Sequence, residues 1–586
     1  MDEKDFQYEA YEEIQHNMKF VLKSKSRIAI MNQLFLSPST KKELKDATGL
    51  SSSLINTNLN QLKEIKAIKE RDGVYFLTNT IKINQYNLLV LNSAINLIEI
   101  LTKHLNHQML FNKDLRAFSS IPPLKDVEII VAKDTDVDRV THLIKDFFIG
   151  SNSIHSVFPY LHPEYGDIFE NWLEKDVGVK LVLPEDVSDA LINIISHYVP
   201  KKGIKNRYLK VKTICCDLDL AIILSDKGVL LGSYNADGTF NKNAVLVSRD
   251  FEAIEWGLEL YNEYEALGGE YFALDEVVLK NEEARLKKHL SNKRTSNYDE
   301  SFYIPYENLN KDNLKNFNKN DIDDISFDLC RFLIGSDIRL KLLIALLEGC
   351  KTMDELKEEI DKSPSNILRA IKELKEHELI RKNNKTYIIT ATGQLVALNI
   401  INYFKSCKTT EDKKSFFENH STKSLPSTLI RKINYWDKAE IIQSDNVDYA
   451  KSYKANLKNI SDSKDIKCIM PVYTKMYLDT VFNTIIEKDG TLEIITNKRI
   501  LDRLLSREFY STVQELNKKG KIRIYLTNIS FETFLTTTDT FSALFLYLED
   551  GSFDDSSVLI NEDLENNQYI NSLFEHMKAY CELVEL

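Results

Sequence analysis

The chain has 586 residues, of which 43% are hydrophobic and 28% are charged, and its formal net charge is −12. These values are typical of a soluble globular protein of several domains and exclude a polycation that binds nucleic acid over its whole surface. Its seven cysteines form no C-x-x-C pair, which argues against a zinc ribbon or a disulfide scaffold, and no apolar run is long enough to span a bilayer. This composition predicts a cytoplasmic protein without a membrane segment.

Residues 18–80 are predicted to form a winged helix-turn-helix, in which three helices precede a β-hairpin. Thr40 and Glu43 have the spacing of a capping box at the start of the second helix, and Ser51 precedes the third. The polar face of this third helix has no arginine and consists of Ser52, Ser53, Asn56, Thr57 and Asn60. This face is predicted either to contact DNA phosphates or to belong to a structural partner that has lost its affinity for DNA.

Residues 81–124 are predicted to contain a connecting helix, because apolar residues recur there at helical spacing. Short apolar runs then alternate with helical segments over residues 125–272, which is typical of an α/β domain with a mixed sheet. Ligands of α/β domains bind at the carboxyl ends of the strands. Phe158, Tyr160 and His162 follow such a strand and predict a small-molecule site, unless they simply pack in the core.

Residues 273–320 are polar and are predicted to be a linker, after which the first half of the chain repeats. The offset is 312 residues from Arg27 to Arg339, and one inserted residue makes it 313 at the late Asp-Gly pairs. A repeat of this length indicates a duplicated two-domain unit rather than a solenoid. The second copy is divided into a winged helix-turn-helix at 321–392, a connecting helix at 393–436 and an α/β domain at 437–586, which is predicted to end in a helix over Leu564–Leu583.

The third helix of the second winged unit carries basic side chains that the first lacks. Ser363 is predicted to cap it, with Pro364 at its first position. The candidate DNA contacts on this helix and on the following hairpin are Ser365, Asn366, Arg369, Lys372, Arg381, Lys382 and Lys385. Arg369 suits bidentate readout of guanine, and the docking of such helices in the major groove favours DNA contact over a merely solvated face.

Tyr473, Lys475 and Tyr477 follow a strand of the second α/β domain and predict the matching ligand site, with core packing again the alternative. No P-loop, H-E-x-x-H or G-x-S-x-G motif occurs in the sequence. The acidic residues near Asp136 lack the glycine and the closing glutamate of a calcium loop. We therefore expect no enzymatic activity, no metal and no cofactor.

Several stretches resemble the archaeal methanogenesis regulatory proteins. They are Phe332–Leu343 (F-L-I-x-S-x-x-R-L-K-L-L), Leu346–Gly349, Thr352–Leu356, Tyr387–Gly393 (Y-x-I-T-x-x-G), Met470–Val472 and Asp550–Phe553 (D-G-S-F). The resemblance implies a winged helix followed by an α/β sensor domain, which is also similar to the phospholipase-D-like domain of TrmB-type regulators. The H-x-K at His576–Lys578 has Leu583 in place of the catalytic aspartate, so the likeness implies the fold without the chemistry.

These features predict a DNA-binding transcriptional regulator whose single chain mimics a homodimer. The partners expected are double-stranded DNA, a small effector on the sensor domains and a second copy of the chain. The alternative is a protein–protein adaptor or anti-regulator that uses its winged helices as interaction modules. The acidic net charge favours that alternative, and so does the lack of arginine on the polar face of the third helix in the first winged unit.

Overall fold

The computed structural model describes most of both copies. The described residues are 14–104, 116–124, 126–133, 135–158, 168, 172, 177–192, 209–215, 218, 220–234, 240–269, 271–273, 317–422, 425–506, 509–527, 532–578 and 581–585. The predicted ligand residues Tyr160 and His162 lie outside these ranges, as does the predicted linker from residue 274 to residue 316.

Module 1 (residues 25–77) consists of three helices and a small antiparallel sheet of order β1-β3-β2. Its elements are α1 (Lys25–Leu36), β1 (Ser39–Thr40), α2 (Lys41–Thr48), α3 (Ser52–Glu64), β2 (Ile68–Arg71) and β3 (Val74–Leu77). The predicted capping box is present, because the Thr40 hydroxyl accepts from the Glu43 amide and the Glu43 carboxylate accepts from the Thr40 amide at 2.7 Å. The hairpin turns at Asp72 and Gly73, whose φ values of 51° and 78° suit these residue types.

The long helix α4 (Asn79–His104) leads to sheet domain 1 (residues 128–273). The elements of this domain are β4 (Glu128–Val131), α5 (Arg139–Ile149), β5 (Ser153–Val157), β6 (Gly178–Pro184), β7 (Leu209–Ile214), β8 (Leu220–Ser225), β9 (Gly228–Tyr234), β10 (Phe240–Ser248), α6 (Phe251–Leu267) and β11 (Phe272–Ala273). The strand order is β11-β7-β6-β5-β8-β9-β10-β4, with β5, β6 and β7 parallel and the other pairs antiparallel. The prediction of a mixed sheet is confirmed.

Two short helices, α7 (Lys319–Asp323) and α8 (Asp328–Ile334), precede module 2 (residues 337–389). The elements of module 2 are α9 (Asp337–Leu347), β12 (Lys351–Thr352), α10 (Met353–Ile360), α11 (Pro364–Glu376), β13 (Ile380–Asn383) and β14 (Thr386–Ile389). Its sheet order, β12-β14-β13, repeats that of module 1. Thr352 and Glu355 form a capping box that repeats the one at Thr40 and Glu43, and Asn384 takes a positive φ of 53° in the turn between β13 and β14.

Sheet domain 2 (residues 440–583) repeats the topology of sheet domain 1 strand for strand. It follows α12 (Ala391–Asp412), α13 (Lys414–Asn419) and α14 (Ser427–Arg431), and contains β15 (Glu440–Gln443), α15 (Lys451–Asp462), β16 (Ile466–Met470), α16 (Lys475–Lys488), β17 (Leu492–Thr496), α17 (Lys498–Leu504), α18 (Tyr510–Lys518), β18 (Ile522–Leu526), β19 (Thr533–Thr538), β20 (Ser542–Leu546), β21 (Ser557–Asn561), α19 (Leu564–Lys578) and β22 (Glu582–Leu583). The order β15-β21-β20-β19-β16-β17-β18-β22 matches the first sheet, again with three central parallel strands.

Three local predictions differ from the structure. The terminal helix ends at Lys578 rather than Leu583, because Glu582 and Leu583 pair with β18 as an edge strand. The Ser363 side chain does not cap a backbone amide of α11 and instead lies 3.2 Å from the Ser365 hydroxyl. The linker ends before Phe317, whose side chain is buried in the core.

The compact units of the chain do not follow the order of the duplication. One unit contains the described residues up to Ile95, residues 317–341 and the chain from Asn399 onward, so it combines module 1 with sheet domain 2. The other contains the described residues from Asn96 to 273 and residues 342–398, so it combines sheet domain 1 with most of module 2. Each module therefore belongs to the unit of the other copy's sheet domain.

A continuous apolar core holds the first of these units together. It includes four side chains of α4, namely Ile83, Tyr86, Leu89 and Val90. The same cluster contains side chains from the segment 414–436, which precedes sheet domain 2, and from the sheet itself, including Phe416, Phe417, Ile430, Trp436, Ile469 and Leu559. Polar contacts accompany this packing. The Asn87 side chain donates to the Ile430 carbonyl at 3.2 Å, and the Thr410 hydroxyl donates to the Asn84 side chain at 2.7 Å.

Leu89→Ala should destabilise module 1 and the segment 414–436 together, because Leu89 is fully buried in their shared core. A buried leucine-to-alanine change costs about 3 kcal/mol through lost burial and the cavity left behind. Hydrogen–deuterium exchange should rise in both segments and stay unchanged in β8 and β9 of sheet domain 1. Ile100→Ala removes a half-exposed aliphatic side chain from the same helix and serves as the control. Faster exchange in module 1 alone would contradict the shared core.

Candidate functional site

Helix α11 presents a polar face and an apolar face. Ile367, Ala370, Ile371 and Leu374 are buried against module 2, as their spacing predicts. The other side of the helix is exposed and carries Ser365, Asn366, Arg369 and Lys372. The four predicted contact residues of this helix therefore share one solvent-facing surface.

The cations of this surface pair with acidic residues one turn further along the helix. Arg369 Nε lies 2.9 Å from Glu373 Oε1, and Lys372 Nζ lies 3.9 Å from Glu376 Oε1. The Arg369 and Lys372 side chains are nevertheless 81% and 79% exposed. Exposed pairs of this kind contribute little to stability, so both cations are available to an anionic partner at small cost.

The hairpin after α11 adds three more exposed cations. Arg381 and Lys382 lie on β13, and Lys385 follows the turn. Lys382 Nζ is 5.9 Å from the ring centroid of the buried Tyr387 on the partner strand, which is within the range of a cation–π contact. Module 2 therefore exposes five cations at predicted contact positions, in a chain whose net charge is −12.

Module 1 has a different surface at the aligned positions. Ser52, Ser53, Asn56 and Asn60 are exposed on α3, and none of them carries a charge. Two cations near this face have acidic partners. Lys63, at the end of α3, forms an ion pair with Glu70, and Lys69 Nζ on β2 lies 2.9 Å from the carboxylate of Glu418. The two modules thus share a fold but not a charge pattern.

The structure places the predicted ligand residues of the second copy in two environments. Tyr473 and Lys475 lie beside Phe509, with 6.5 Å between the Tyr473 and Phe509 centroids and 5.2 Å from Lys475 Nζ to the Phe509 ring. Arg503, 4.8 Å from the Tyr473 ring, completes this group. Sequence reasoning missed Phe509 and Arg503, which are separated from Tyr473 by 30 or more residues and carry no motif.

Tyr477 lies in the core rather than beside this group. Its side chain is fully buried, its hydroxyl is 2.9 Å from the Thr536 hydroxyl, and burial raises its pKa well above the ordinary value. In the first copy Phe158 is also buried and packs edge-on against Phe148 at 5.8 Å. For Tyr477 and Phe158 the structure therefore corresponds to the packing alternative.

The described ranges contain neither a candidate membrane span nor a candidate metal cluster. No helix there is long and apolar enough to cross a bilayer. No group of three or more His, Cys, Asp or Glu side chains in the same ranges is arranged to hold a metal ion.

Family models match parts of both halves of the chain. The family model described as the middle domain of the methanogenesis regulatory protein FilR1 matches twice, at residues 137–267 and 450–580. The model of the HVO_A0261 N-terminal domain matches residues 328–412. The double match shows that the middle domain is present in tandem, as the resemblance in the sequence predicts. The matched family is regulatory, which agrees with the prediction that the chain is not an enzyme.

One curated relative and two solved structures are also similar. The methanogenesis regulatory protein FilR1 of Methanothrix harundinacea (strain 6Ac) is 21% identical over 222 residues, which are 38% of this chain and half the length of that relative. TrmBL2, an archaeal chromatin protein, matches 44% of this chain and 100% of its own at 12% identity and a TM-score of 0.21. The phospholipase D family member Nuc from Salmonella typhimurium matches 25% of this chain and 98% of its own, at 16% identity and a TM-score of 0.20.

Arg369→Ala should leave the stability of the chain unchanged within about 0.5 kcal/mol, because the side chain is exposed and its partner Glu373 is a surface residue. The same change at the buried Ile371 should destabilise module 2 by about 3 kcal/mol. Hydrogen exchange in residues 353–376 compares the two variants. Faster exchange in the Arg369 variant would show that the ion pair supports the helix.

Proposed function

We propose that this chain, a tandem-duplicated relative of the methanogenesis regulatory proteins, is a cytoplasmic DNA-binding transcriptional regulator. The observation that carries the proposal is the cationic surface of module 2. It concentrates five exposed basic side chains on one helix and the adjoining hairpin, in a chain that is acidic overall. A local basic surface on an acidic protein favours a specific contact with nucleic acid over non-specific binding.

Modules 1 and 2 are winged helix-turn-helix domains in this proposal. Their order of three helices and a hairpin, and the sheet orders β1-β3-β2 and β12-β14-β13, support that assignment. Helix α11 is then the recognition helix that enters the major groove, and the β13–β14 hairpin is the wing beside the phosphate backbone. Arg369 is the candidate for base readout, and Lys372, Arg381, Lys382 and Lys385 for phosphate contacts.

The single chain takes the place of a homodimer. Two modules on one chain can occupy two half-sites, as the two subunits of a dimeric regulator do. Because the exposed face of α3 is uncharged and that of α11 is basic, the two half-sites are bound by different chemistry. Module 2 supplies most of the electrostatic affinity, and module 1 contributes hydrogen bonds from Ser and Asn. Association of two such chains would extend the arrangement to four modules.

The sheet domains act as sensors for a small effector in this account. The group of Tyr473, Lys475, Arg503 and Phe509 supports a site in sheet domain 2, because two cations and two aromatic rings lie at the carboxyl end of β16. Such a group suits an anionic ligand with a planar or apolar part. Ligand binding would then shift the balance between two arrangements of the modules.

A protein–protein adaptor is the second candidate. The uncharged α3 face of module 1, with Leu54 46% exposed, favours it over a second DNA-binding surface for that module. An adaptor would bind no duplex even at low salt. The DNA experiments below therefore separate the two functions.

Lys372→Ala combined with Lys382→Ala should weaken DNA binding and make its salt dependence shallower, because two phosphate contacts are lost. The slope of log K against log salt should fall in magnitude by about 2. Fluorescence anisotropy on promoter-derived and random duplexes across a salt series measures this. Lys458→Ala with Lys488→Ala removes two exposed lysines from the helices of sheet domain 2 and should leave the slope unchanged. Equal slopes for the wild type and the module 2 variant would contradict the assigned surface.

Thr57→Arg combined with Asn60→Lys should strengthen binding and steepen its salt dependence, because these positions of α3 align with Arg369 and Lys372. The two added cations give module 1 the charge pattern of module 2, and the slope should rise in magnitude by about 2. Anisotropy on the same duplexes provides the measurement. An unchanged slope would place α3 away from DNA and favour the structural or adaptor role of module 1.

A further inference from the structure

The first turn of α4 makes hydrogen bonds to sheet domain 2 and to the segment 414–436 that precedes it, which are distant from α4 in the sequence. The Thr80 amide donates to Glu418 Oε1 at 2.9 Å, and Asn79 Nδ2 donates to the His420 carbonyl at 2.7 Å and to Glu549 Oε1 at 3.3 Å. First-turn amides have no acceptor within their own helix, and a carboxylate at this position is favoured by the helix dipole. Glu418 therefore supplies a cap from more than 300 residues away along the chain.

Glu418 also holds the hairpin of module 1. Its carboxylate lies 2.9 Å from Lys69 Nζ on β2, and the Glu418 side chain is only 18% exposed. Burial acts to raise the pKa of Glu418, but the hydrogen bonds from Lys69 and Thr80 outweigh it and lower that pKa below its ordinary value. The carboxylate is thus ionised at neutral pH and binds both the hairpin and the helix that follows it.

His420 extends this network to the loop between β20 and β21. The imidazole is 1% exposed, with Nδ1 2.6 Å from the Phe416 carbonyl and Nε2 2.9 Å from Asp554 Oδ2. The adjacent Ser421 amide donates to the Tyr547 carbonyl at 2.8 Å. Asp554 directly follows the D-G-S-F stretch, whose Phe553 packs against aromatic residues of the sheet. The β20–β21 loop therefore reaches the first turn of α4 directly through Glu549, and also through Asp554 and His420 by two successive hydrogen bonds.

The aligned positions of module 2 and sheet domain 1 lack two of these side chains. Asn79 corresponds to Ala391, which has no side-chain donor, and Asp554 corresponds to Asn241, which has no charge. In the second copy, the residues after the hairpin of module 2 are Ala391, Thr392 and Gly393. The Gly393 position has no room for a side chain, since an added Cβ would lie 2.0 Å from the Leu379 carbonyl oxygen. The network is thus a feature of module 1 and not of the duplicated unit.

We infer that Glu418 and His420 are positioning residues that fix module 1 to the β20–β21 loop of sheet domain 2, so that the state of this loop controls the engagement of module 1 with DNA. The claim about DNA engagement rests on the proposed function. The claim that Glu418 and His420 position module 1 rests on the hydrogen-bond network alone. The control acts between copies, because the loop belongs to the second copy and the module to the first. Orientation matters most for module 1, whose α3 face has no cations to strengthen a misplaced contact.

The test compares full-length variants by hydrogen exchange and by hydroxyl-radical footprinting on a duplex selected from a random DNA pool. Asp554→Asn, Glu418→Gln and Asn79→Ala each remove one link, and Asn79→Ala introduces the residue that the second copy already has. Glu411→Gln removes an exposed carboxylate from α12 that pairs with the nearby Lys414, and it is the matched control. Asp554→Asn is the decisive change, because Asp554 does not touch module 1 in this network.

The expected result is faster exchange in residues 74–84 for all three variants and unchanged exchange there for the Glu411 control. On DNA the protected segment of one half-site should be lost, with binding to that half weakened about tenfold, while the other half-site stays protected. Equal weakening of both half-sites, or unchanged exchange in residues 74–84 in the Asp554 and Asn79 variants, would overturn the inference. A wild-type chain that protects no duplex would refute the proposed function instead, and hydrogen exchange would still decide the positioning role.

Discussion

Burial of the apolar face of α4 is the interaction on which the architecture depends. A helix this apolar must be covered on most sides, and module 1 supplies only part of the cover. Ile83, Tyr86, Leu89 and Val90 also pack into the core of the unit formed with sheet domain 2. The second copy therefore completes the cover of a helix that belongs to the first. Duplication of a dimeric ancestor would produce this result if the subunits of that ancestor exchanged their modules, because fusion preserves the contacts and changes only the connectivity.

The crossed arrangement gives the two modules different tasks. Module 2 keeps a cationic recognition surface on α11 and its hairpin, whereas module 1 has an uncharged helix face and commits Lys69 to Glu418. Two identical subunits cannot differ in this way, since each substitution would appear in both. A fused chain can divide affinity and control between its copies. In the proposed function, one module anchors the protein on DNA, and the other responds to the sheet domain that holds it.

Local features of the fold could be predicted from the sequence, and contacts between distant segments could not. The capping boxes at Thr40 and Thr352 and the turn at Asn384 depend on residues within a few positions of one another, so spacing alone indicates them. The mixed character of each sheet follows in outline from alternating strands and helices. No periodicity tells which sheet domain covers α4, which carboxylate caps Thr80, or that Phe509 and Arg503 join Tyr473 and Lys475. Tyr477 illustrates the same limit, because a residue at the start of a helix can face either the ligand side or the core, and here it faces the core.

The central claim is that one chain does on DNA what a homodimer does elsewhere. The most direct test is the stoichiometry of the complex, measured by sedimentation velocity on a single selected duplex together with its footprint. The account predicts one chain per duplex and two protected segments about one helical turn apart, roughly 34 Å from centre to centre. Two chains on a duplex with two protected segments would contradict it, because each half-site would then require its own chain. One chain with a single protected segment would also contradict it, because one module would then have no half-site.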